Sequence, residues 1–180
     1  GKSTLMQVML GLLRPTKGEV LYKNDNIFLN LKEWYKNISY VSQNTFLLDA
    51  DLKTNITFEK NHKKINSEKL LRSIEVANLK DKIFSLKDKL DEYVGTDGIR
   101  LSGGEKQRIA LARAIYSDKD ILFLDEFTSA LDKETEEKIF NNLTNYKKKK
   151  TIIIITHRET TIRNCDVVWE LNEGNLKKIK

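Results

Sequence analysis

The sequence has little cysteine and no long apolar segment. Its only cysteine, Cys165, excludes a disulfide within the chain, which fits a reducing compartment. No apolar run approaches the roughly 20 residues that a membrane-spanning helix needs. Hydrophobic residues make up 39% of the 180 residues and charged residues 32%, values typical of one globular domain rather than a disordered chain.

Positive charge is concentrated in two places. The formal net charge is +6, and much of it lies in the run Lys147–Lys150 and in the tail at Lys177, Lys178 and Lys180. A basic run can bind nucleic acid or an anionic membrane surface; the alternative is a solvated loop before a strand. We favour the loop because charge runs are usually solvated, and because no aromatic residues alternate with these lysines. No nucleic-acid partner is therefore expected.

A turn with the sequence Ser102-Gly103-Gly104-Glu105 opens a predicted helix. Ser102 can cap this helix, and Glu105 completes a capping box. Gly103 and Gly104 lower helix stability, but they let another molecule approach the backbone closely. Free N–H groups and the positive helix end favour an anion such as phosphate. The alternative is a well-capped helix without a ligand.

Two carboxylates follow an apolar strand in the second half of the chain. Residues 121–124 have no polar alternation, which is typical of a strand buried on both faces. Asp125 and Glu126 come at its carboxyl end, where parallel α/β sheets bind ligands. Asp125 suits a Mg²⁺ contact, and Glu126 suits the activation of a water molecule. The alternative is a solvated loop after the strand.

The chain begins with Gly1-Lys2-Ser3-Thr4, followed by a predicted helix from Lys2 to Leu13 that Pro15 ends. Its predicted buried face contains Leu5, Val8, Met9 and Leu12. A helix start with a lysine and a hydroxyl suits a nucleotide polyphosphate. Only the last part of the phosphate-binding pattern G-x-x-x-x-G-K-[ST] is present. We therefore expect a fragment that lacks the N-terminal portion and binds ATP poorly without it.

Two further polar residues follow predicted strands. Gln43 comes after the strand 38–42, and His157 comes after the apolar strand 151–156. A lone glutamine at a strand end is usually a surface residue, and a lone histidine is more often structural than catalytic. The carboxyl ends of parallel strands meet at one edge of a sheet, so we expect both residues to converge on Asp125 and Glu126.

Shorter patterns predict small antiparallel sheets and a helix. Gly18 to Tyr22 is predicted as a strand, with a turn at Asn24–Asn26. Val167 to Leu171 is predicted as a second strand, with a hairpin turn at Asn172–Asn175. Residues 67–78 have the pattern of an amphipathic helix with Leu70, Leu71, Ile74 and Ala77 on one side.

The segments LSGGEKQR, ILFLDE and SALD, together with the histidine after an apolar strand, resemble the nucleotide-binding domain of ATP-binding cassette (ABC) ATPases. The resemblance covers nearly the whole chain. It implies an α/β fold: a P-loop NTPase core with a mainly parallel sheet, a small antiparallel β subdomain and an inserted α-helical subdomain. The core would contain residues 1–43 and 101–180, and the helical subdomain residues 44–100.

The resemblance also implies the cofactors, ATP and Mg²⁺, and a role for each motif residue. In catalysis, Glu126 would be the general base and His157 would hold the attacking water. Gln43 would couple nucleotide state to partner contact. ATP would be bound by Gly1, Lys2, Ser3, Thr4, Ser102, Gly103, Gly104 and Asp132. Mg²⁺ would be bound by Ser3, Gln43 and Asp125. Asp132 is alternatively a cap for the next helix.

Within the family, residues 44–58 and 94–98 resemble the exporter branch. That branch implies a second nucleotide-binding domain as partner and a transmembrane domain fused upstream. It also implies a position at the cytoplasmic face of the cell membrane, where ATP hydrolysis drives export or flipping. Phe46 would border a groove for the partner's coupling helix, and Phe127 stands where alanine or proline is commoner. The alternative is a soluble ATPase of the same superfamily that acts on ribosomes or DNA.

Overall fold

The computed structural model describes residues 1–98, 101–146 and 150–180. A parallel sheet lies at its centre and two antiparallel hairpins lie outside it, which confirms the predicted α/β fold. Lys147, Lys148 and Lys149 of the basic run, and Arg100 at the end of the predicted helical subdomain, lie outside the described residues. Within those residues, no helix has the length and hydropathy needed to cross a bilayer.

The secondary structure alternates between helices and strands along much of the chain. The helices are α1 (Lys2–Met9), α2 (Leu31–Asn37), α3 (Leu52–Thr57), α4 (Ser67–Val76), α5 (Lys80–Ser85), α6 (Gly103–Tyr116), α7 (Lys133–Tyr146) and α8 (Glu159–Arg163). The strands are β1 (Leu21–Tyr22), β2 (Asp25–Asn26), β3 (Ile38–Val41), β4 (Ile121–Asp125), β5 (Thr151–Ile155), β6 (Trp169–Asn172) and β7 (Asn175–Lys178). Short 3₁₀ turns occupy Ile27–Leu29, His62–Lys64, Lys89–Asp91 and Thr96–Gly98.

The central sheet has the strand order β3-β4-β5, and both pairings are parallel. Strand β4 is buried on both faces, as its apolar sequence predicts. Leu122 and Leu124 join a large apolar cluster on one side, and Phe123 joins a smaller cluster on the other. Because the three strands run in the same direction, their carboxyl ends lie at one edge of the sheet.

Helix α1 covers the Phe123 side of the sheet, but it is shorter than predicted. Met6 and Leu10 are the buried hydrophobic residues of this segment, and both belong to the apolar cluster around Trp34 and Phe123. Helix α1 ends at Met9, six residues before Pro15, because Gly11 takes a φ of +78° and turns the chain. The predicted buried face is therefore partly wrong, and Leu12 is 61% exposed.

Helix α6 covers the other side of the sheet and also contacts residues 44–100. Ile109 and Leu111 lie in the same apolar cluster as Leu70 and Ile74 of α4. Within their described part, residues 44–100 contribute helices and no strand of the central sheet. The apolar cluster is continuous between this region and α6, so the predicted boundary between core and helical subdomain stays a prediction. Leu71 is exposed, contrary to the predicted face.

Both small hairpins exist, with shifted boundaries. Strand β1 covers only the last two residues of the predicted strand, and it pairs with Asp25 and Asn26, which were predicted as turn. The turn is formed by Lys23 and Asn24, whose φ angles are 50° and 70°. The hairpin of β6 and β7 turns at Glu173 and Gly174, inside the predicted turn.

Candidate active site

Three predicted catalytic residues meet at the carboxyl edge of the sheet. The Nε2 atom of Gln43 donates a hydrogen bond of 2.8 Å to Oε2 of Glu126. The Nε2 atom of His157 lies 3.3 Å from Oε1 of the same carboxylate. We call these residues the strand-end cluster. It brings together side chains that follow β3, β4 and β5, as the parallel topology predicts.

The backbone turns sharply at Glu126. Its φ angle is 46°, in the left-handed region that non-glycine residues rarely occupy. Its N–H donates to the carbonyl of Ile155 at 3.0 Å, which extends the pairing of β4 with β5 by one residue. Its carbonyl accepts a bond of 3.0 Å from the N–H of Ser129. The backbone of Glu126 is therefore fixed through both its N–H and its carbonyl, which limits where the carboxylate can lie.

Asp125 lies beside the cluster and is 8% exposed. Burial raises the pKa of this carboxyl; a hydrogen bond from Tyr40 lowers it and the neighbouring Glu126 raises it further, with a net increase. The Tyr40 hydroxyl donates to Oδ2 of Asp125 at 3.4 Å. Burial, with the charge of Asp125, raises the pKa of Tyr40 as well. Tyr40 was not predicted as a site residue, although its position on β3 beside β4 was an available signal.

A cavity with a volume of about 180 Å³ opens next to the strand-end cluster. It is lined by Glu126, Thr128, Ser129, Thr156, His157 and Arg158. One ordered water needs only about 15 Å³ on a comparable measure, together with polar partners. The cavity therefore has room for a water molecule beside the carboxylate and for a larger polar group.

The predicted capping box at the start of α6 is present. The N–H of Ser102 donates to Glu105 at 2.8 Å, and the N–H of Glu105 donates to the Ser102 hydroxyl at 3.2 Å. The neighbouring loop explains one of the glycines: a Cβ on Gly104 would lie 2.8 Å from the carbonyl oxygen of Ala130. On Gly103 it would meet only the Ala130 methyl, at 3.3 Å.

The loop 127–132 joins the strand-end cluster to α7. Phe127 is buried and packs edge-on against Phe140, with 5.8 Å between ring centroids, so this departure from the family pattern fills the core. Asp132 caps α7 through two bonds of 2.8 Å from Thr135, which also hold the pKa of Asp132 below its ordinary value. The cap alternative for Asp132 is therefore present, and the role at an interface stays a prediction.

Buried Gln107 contacts the same loop from α6. Its side-chain amide donates to the Ser129 hydroxyl at 2.8 Å and accepts from the N–H of Ala130 at 3.0 Å. Gln107 was not predicted as part of the site. The signal in the sequence was a polar residue one turn after Gly103 and Gly104. The structure shows that this residue faces the loop rather than solvent.

The first turn of α1 is a separate part of the candidate site. Gly1 provides no side-chain cap, the turn has no acidic residue, and Lys2 forms no ion pair with the carboxylates of the described residues. Gly1 lies next to Leu171, to which an added Cβ would come within 3.3 Å. No hydrogen bond or ion pair in the described part of the chain joins residues 1–4 to the strand-end cluster.

Comparisons with known proteins show to which family the chain belongs. A sequence model of the family described as "ABC transporter" matches residues 1–129, more than half of the 180-residue chain. The chain belongs to the ABC transporter family. ATP is the nucleotide that an ABC domain binds.

Relatives and solved structures point to exporters and flippases within the family. The "ABC-type transporter fsqE" of Aspergillus fumigatus is 37% identical over 99% of this chain, and the "ATP-dependent lipid A-core flippase" of Ralstonia nicotianae is 35% identical over 98%. The structure of a bacterial Atm1-family ABC exporter with ATP bound superposes with a TM-score of 0.90 at 30% identity over 98% of this chain. The chain spans only 14%, 30% and 31% of these proteins, respectively.

Proposed function

We propose that this ABC-family chain binds and hydrolyses ATP to drive the export or flipping of a substrate across a membrane. The observation that carries the proposal is the strand-end cluster. A carboxylate at the carboxyl end of the central strand is held from both sides by Gln43 and His157, beside a cavity with room for water. This is the arrangement that a general base for water attack on a phosphate requires.

In the proposed mechanism, Glu126 accepts a proton from the attacking water. Gln43 and His157 each contact a different oxygen of its carboxylate. Each carboxylate oxygen can accept more than one hydrogen bond, so both neighbours can orient Glu126 while water binds. His157 is 67% exposed and can also reach a phosphate at the cavity mouth.

The first turn of α1 would bind the phosphates of ATP. Lys2 supplies a cation without a competing carboxylate in the described residues, the Ser3 and Thr4 side chains supply hydroxyl groups, and the N–H groups from Gly1 onward have no side-chain cap. These donors fit a polyphosphate. Lys2 would neutralise charge that develops on the transferred group.

Mg²⁺ would be held by Ser3, Gln43 and Asp125. Burial leaves the Asp125 carboxylate short of compensating charge and raises its pKa, which suits a nearby cation. No group of three or more Asp, Glu, His or Cys in the described ranges could hold a metal alone. That fits an ion that takes most of its ligands from phosphate and water. Bound Mg²⁺ would supply charge neutralisation on the phosphates.

A second nucleotide-binding domain would complete the site. The capping box uses the N–H groups of Ser102 and Glu105, so those of Gly103 and Gly104 remain for a phosphate of the partner's nucleotide. Asp132 would lie at the same interface. The Atm1-family exporter structure supports the proposal, since this chain superposes on that ATP-bound protein with a TM-score of 0.90.

Coupling to a membrane would use residues 44–100. Phe46 is 61% exposed and would offer apolar surface to a helix of a transmembrane domain, whereas the neighbouring Leu47 is buried in the core. We place this domain upstream in the complete protein and the ATPase domain at the cytoplasmic face of the membrane. The support is the set of matched relatives, which are named as transporters and a flippase.

The test is Glu126→Gln in the complete protein, assayed for ATP binding and hydrolysis. The amide keeps the size of the side chain but cannot take a proton, so we expect ATP binding to persist while kcat falls by about 100- to 10,000-fold, the range for general-base catalysis. Glu134→Gln is the matched control because Glu134 is exposed and pairs only with Lys138 in the described residues. Normal turnover in Glu126→Gln would refute the assigned base.

A further inference from the structure

Arg158, the residue after His157, makes three side-chain contacts away from the strand-end cluster. Its Nη1 atom donates to the carbonyl of Leu131 at 3.1 Å and to Oε2 of Glu136 at 2.7 Å. Its Nη2 atom donates to the carbonyl of Ser129 at 3.0 Å. We infer that Arg158 is a positioning residue: paired with buried Glu136, it fixes the loop 127–132 relative to His157. The inference rests on the proposed ATPase function.

Glu136 anchors this arrangement from inside the protein. Its side chain is 1% exposed, and its carboxylate also accepts hydrogen bonds from the hydroxyls of Thr160 and Thr161, at 3.0 and 2.7 Å. Burial alone would raise the pKa of Glu136, but the bonds from Thr161, Arg158 and Thr160 outweigh it, so the pKa lies below its ordinary value. The carboxylate is therefore charged at neutral pH and holds the guanidinium in one place.

The loop 127–132 is held from two directions. Arg158 holds the carbonyls of Ser129 and Leu131 from the end of β5. Gln107 holds the Ser129 hydroxyl and the Ala130 N–H from α6. Because the N–H of Ser129 also donates to the carbonyl of Glu126, a shift of this loop would move the proposed base.

A role in stability alone explains this pair poorly. Arg158 is 33% exposed, but Glu136 is buried, and removing that charge from water is costly enough that a packed apolar pair of the same size is often as stable or more stable. A planar guanidinium instead fixes the directions of its hydrogen bonds, because its N–H donors point along fixed directions in one plane. Here the fork joins one carboxylate to two loop carbonyls, which sets the distance between the His157 backbone and the loop.

The experiment is Arg158→Lys in the complete protein, with Arg163→Lys as the matched control. Lysine keeps the charge but carries its donors on a single nitrogen, so it lacks the planar fork that spans Glu136 and the two loop carbonyls. Arg163 forms an ion pair of the same type with Glu159 at 3.5 Å, but both side chains are at least 80% exposed. We expect kcat to fall about 10- to 100-fold through misplacement of the base, with the KM for ATP unchanged because Lys2 and Ser3 are untouched.

Hydrogen–deuterium exchange gives a readout that does not depend on turnover. We expect the amides of residues 129–131 to exchange faster in Arg158→Lys and in Glu136→Gln, which keeps the shape of the side chain and removes its charge. Glu136→Gln also decides the matter if Arg158→Lys does not fold. Wild-type kcat and exchange in the folded variants would overturn the inference, as would equal losses in Arg163→Lys.

A joint loss of kcat, ATP affinity and melting temperature would also overturn the inference, because it would indicate general loosening rather than positioning. If the proposed ATPase function itself is wrong, the experiments give a different pattern of results. In that case Glu126→Gln would hydrolyse ATP at the wild-type rate, whereas the exchange of residues 129–131 would still show whether Arg158 holds the loop.

Discussion

Two helix starts, those of α1 and α6, are proposed to bind phosphates, and they are built in opposite ways. Helix α1 begins at Gly1 with no side-chain cap and no acidic residue in its first turn. Helix α6 begins at Ser102 with a complete capping box, and Glu105 in its first turn also pairs with Lys82 at 2.8 Å. Among the described residues, no side chain caps the start of α1, whereas the start of α6 satisfies part of its donors through its own capping box.

The difference suggests that the start of α1 serves to bind the nucleotide, whereas the start of α6 is preorganised in its final geometry. Uncapped N–H groups and a lysine without an ion pair among the described residues are stabilised most by an external anion. The start of α1 therefore suits the main binding site for the phosphates of a nucleotide. A capped helix keeps its geometry without a ligand. The start of α6 therefore keeps its geometry without a ligand. The N–H groups of Gly103 and Gly104 and the hydroxyl hydrogen of Ser102 remain available to donate hydrogen bonds to a phosphate.

Among changes at these two helix starts, replacing the lysine of α1 should have the largest effect. Lys2→Ala in the complete protein should weaken ATP binding about 10- to 100-fold, because a hydrogen bond to a charged group contributes roughly 1.5–3 kcal/mol. Thermal stability should hardly change, since Lys2 has no ion pair among the described residues. Lys17→Ala, at an exposed residue beyond α1, is the control for nucleotide titrations. Equal affinity for ATP in both variants would contradict the role assigned to Lys2 in phosphate binding.

The two glycines of α6 should respond differently to an added methyl group. In Gly104→Ala the new Cβ would lie 2.8 Å from the Ala130 carbonyl oxygen and 3.1 Å from Leu131, so we expect a loss of about 1–3 kcal/mol in the free energy of unfolding. Gly103→Ala should cost much less. Chemical denaturation of both variants measures the difference, and an equal effect would show that packing does not require Gly104.

Removing the charge of Glu105 should have a small, pH-dependent effect. Burial alone would raise the pKa of Glu105, but hydrogen bonds from Lys82 and Ser102 outweigh it and the pKa is lowered. The charge therefore stabilises the fold above the ordinary pKa, 4.5, and this contribution is lost as the pH falls through the folded-state value. At pH 7, Glu105→Gln should lower the free energy of unfolding by at most about 1 kcal/mol.

The control for this prediction is Lys82→Met, alone and combined with Glu105→Gln. If the ion pair is the source, the double variant should lose less stability than the two single variants together. The difference between wild type and Glu105→Gln should also shrink in acid. A difference that stays constant from pH 7 to pH 3 would contradict the ion-pair explanation.

The strand-end cluster was predictable because it depends on topology. Parallel strands end at the same edge, so polar residues directly after apolar strands meet there whatever lies between them in the sequence. Gln43, Glu126 and His157 follow this rule, and their contacts are present. The capping box was predictable for a similar reason, since it depends on residues only three positions apart.

The remaining contacts depend on tertiary packing that local patterns do not contain. Helix α1 ends early because Gly11 turns the chain, although Pro15 was the stronger stop signal. Gly104 looked like an opening for a ligand, and the structure shows Ala130 already against it. Arg158 and Glu136 are 22 residues apart, so their pairing required the folded chain.

Strand β4 pairs with β3 on one side and with β5 on the other. Neighbouring strands lie about 4.8 Å apart, so residues that follow β3 and β5 are separated by about 10 Å. The Glu126 side chain bridges that gap and contacts a neighbour on each side. The sheet spacing thus selects for side-chain length at position 126: aspartate, shorter by one methylene, would keep the acid but lose simultaneous contact with both neighbours.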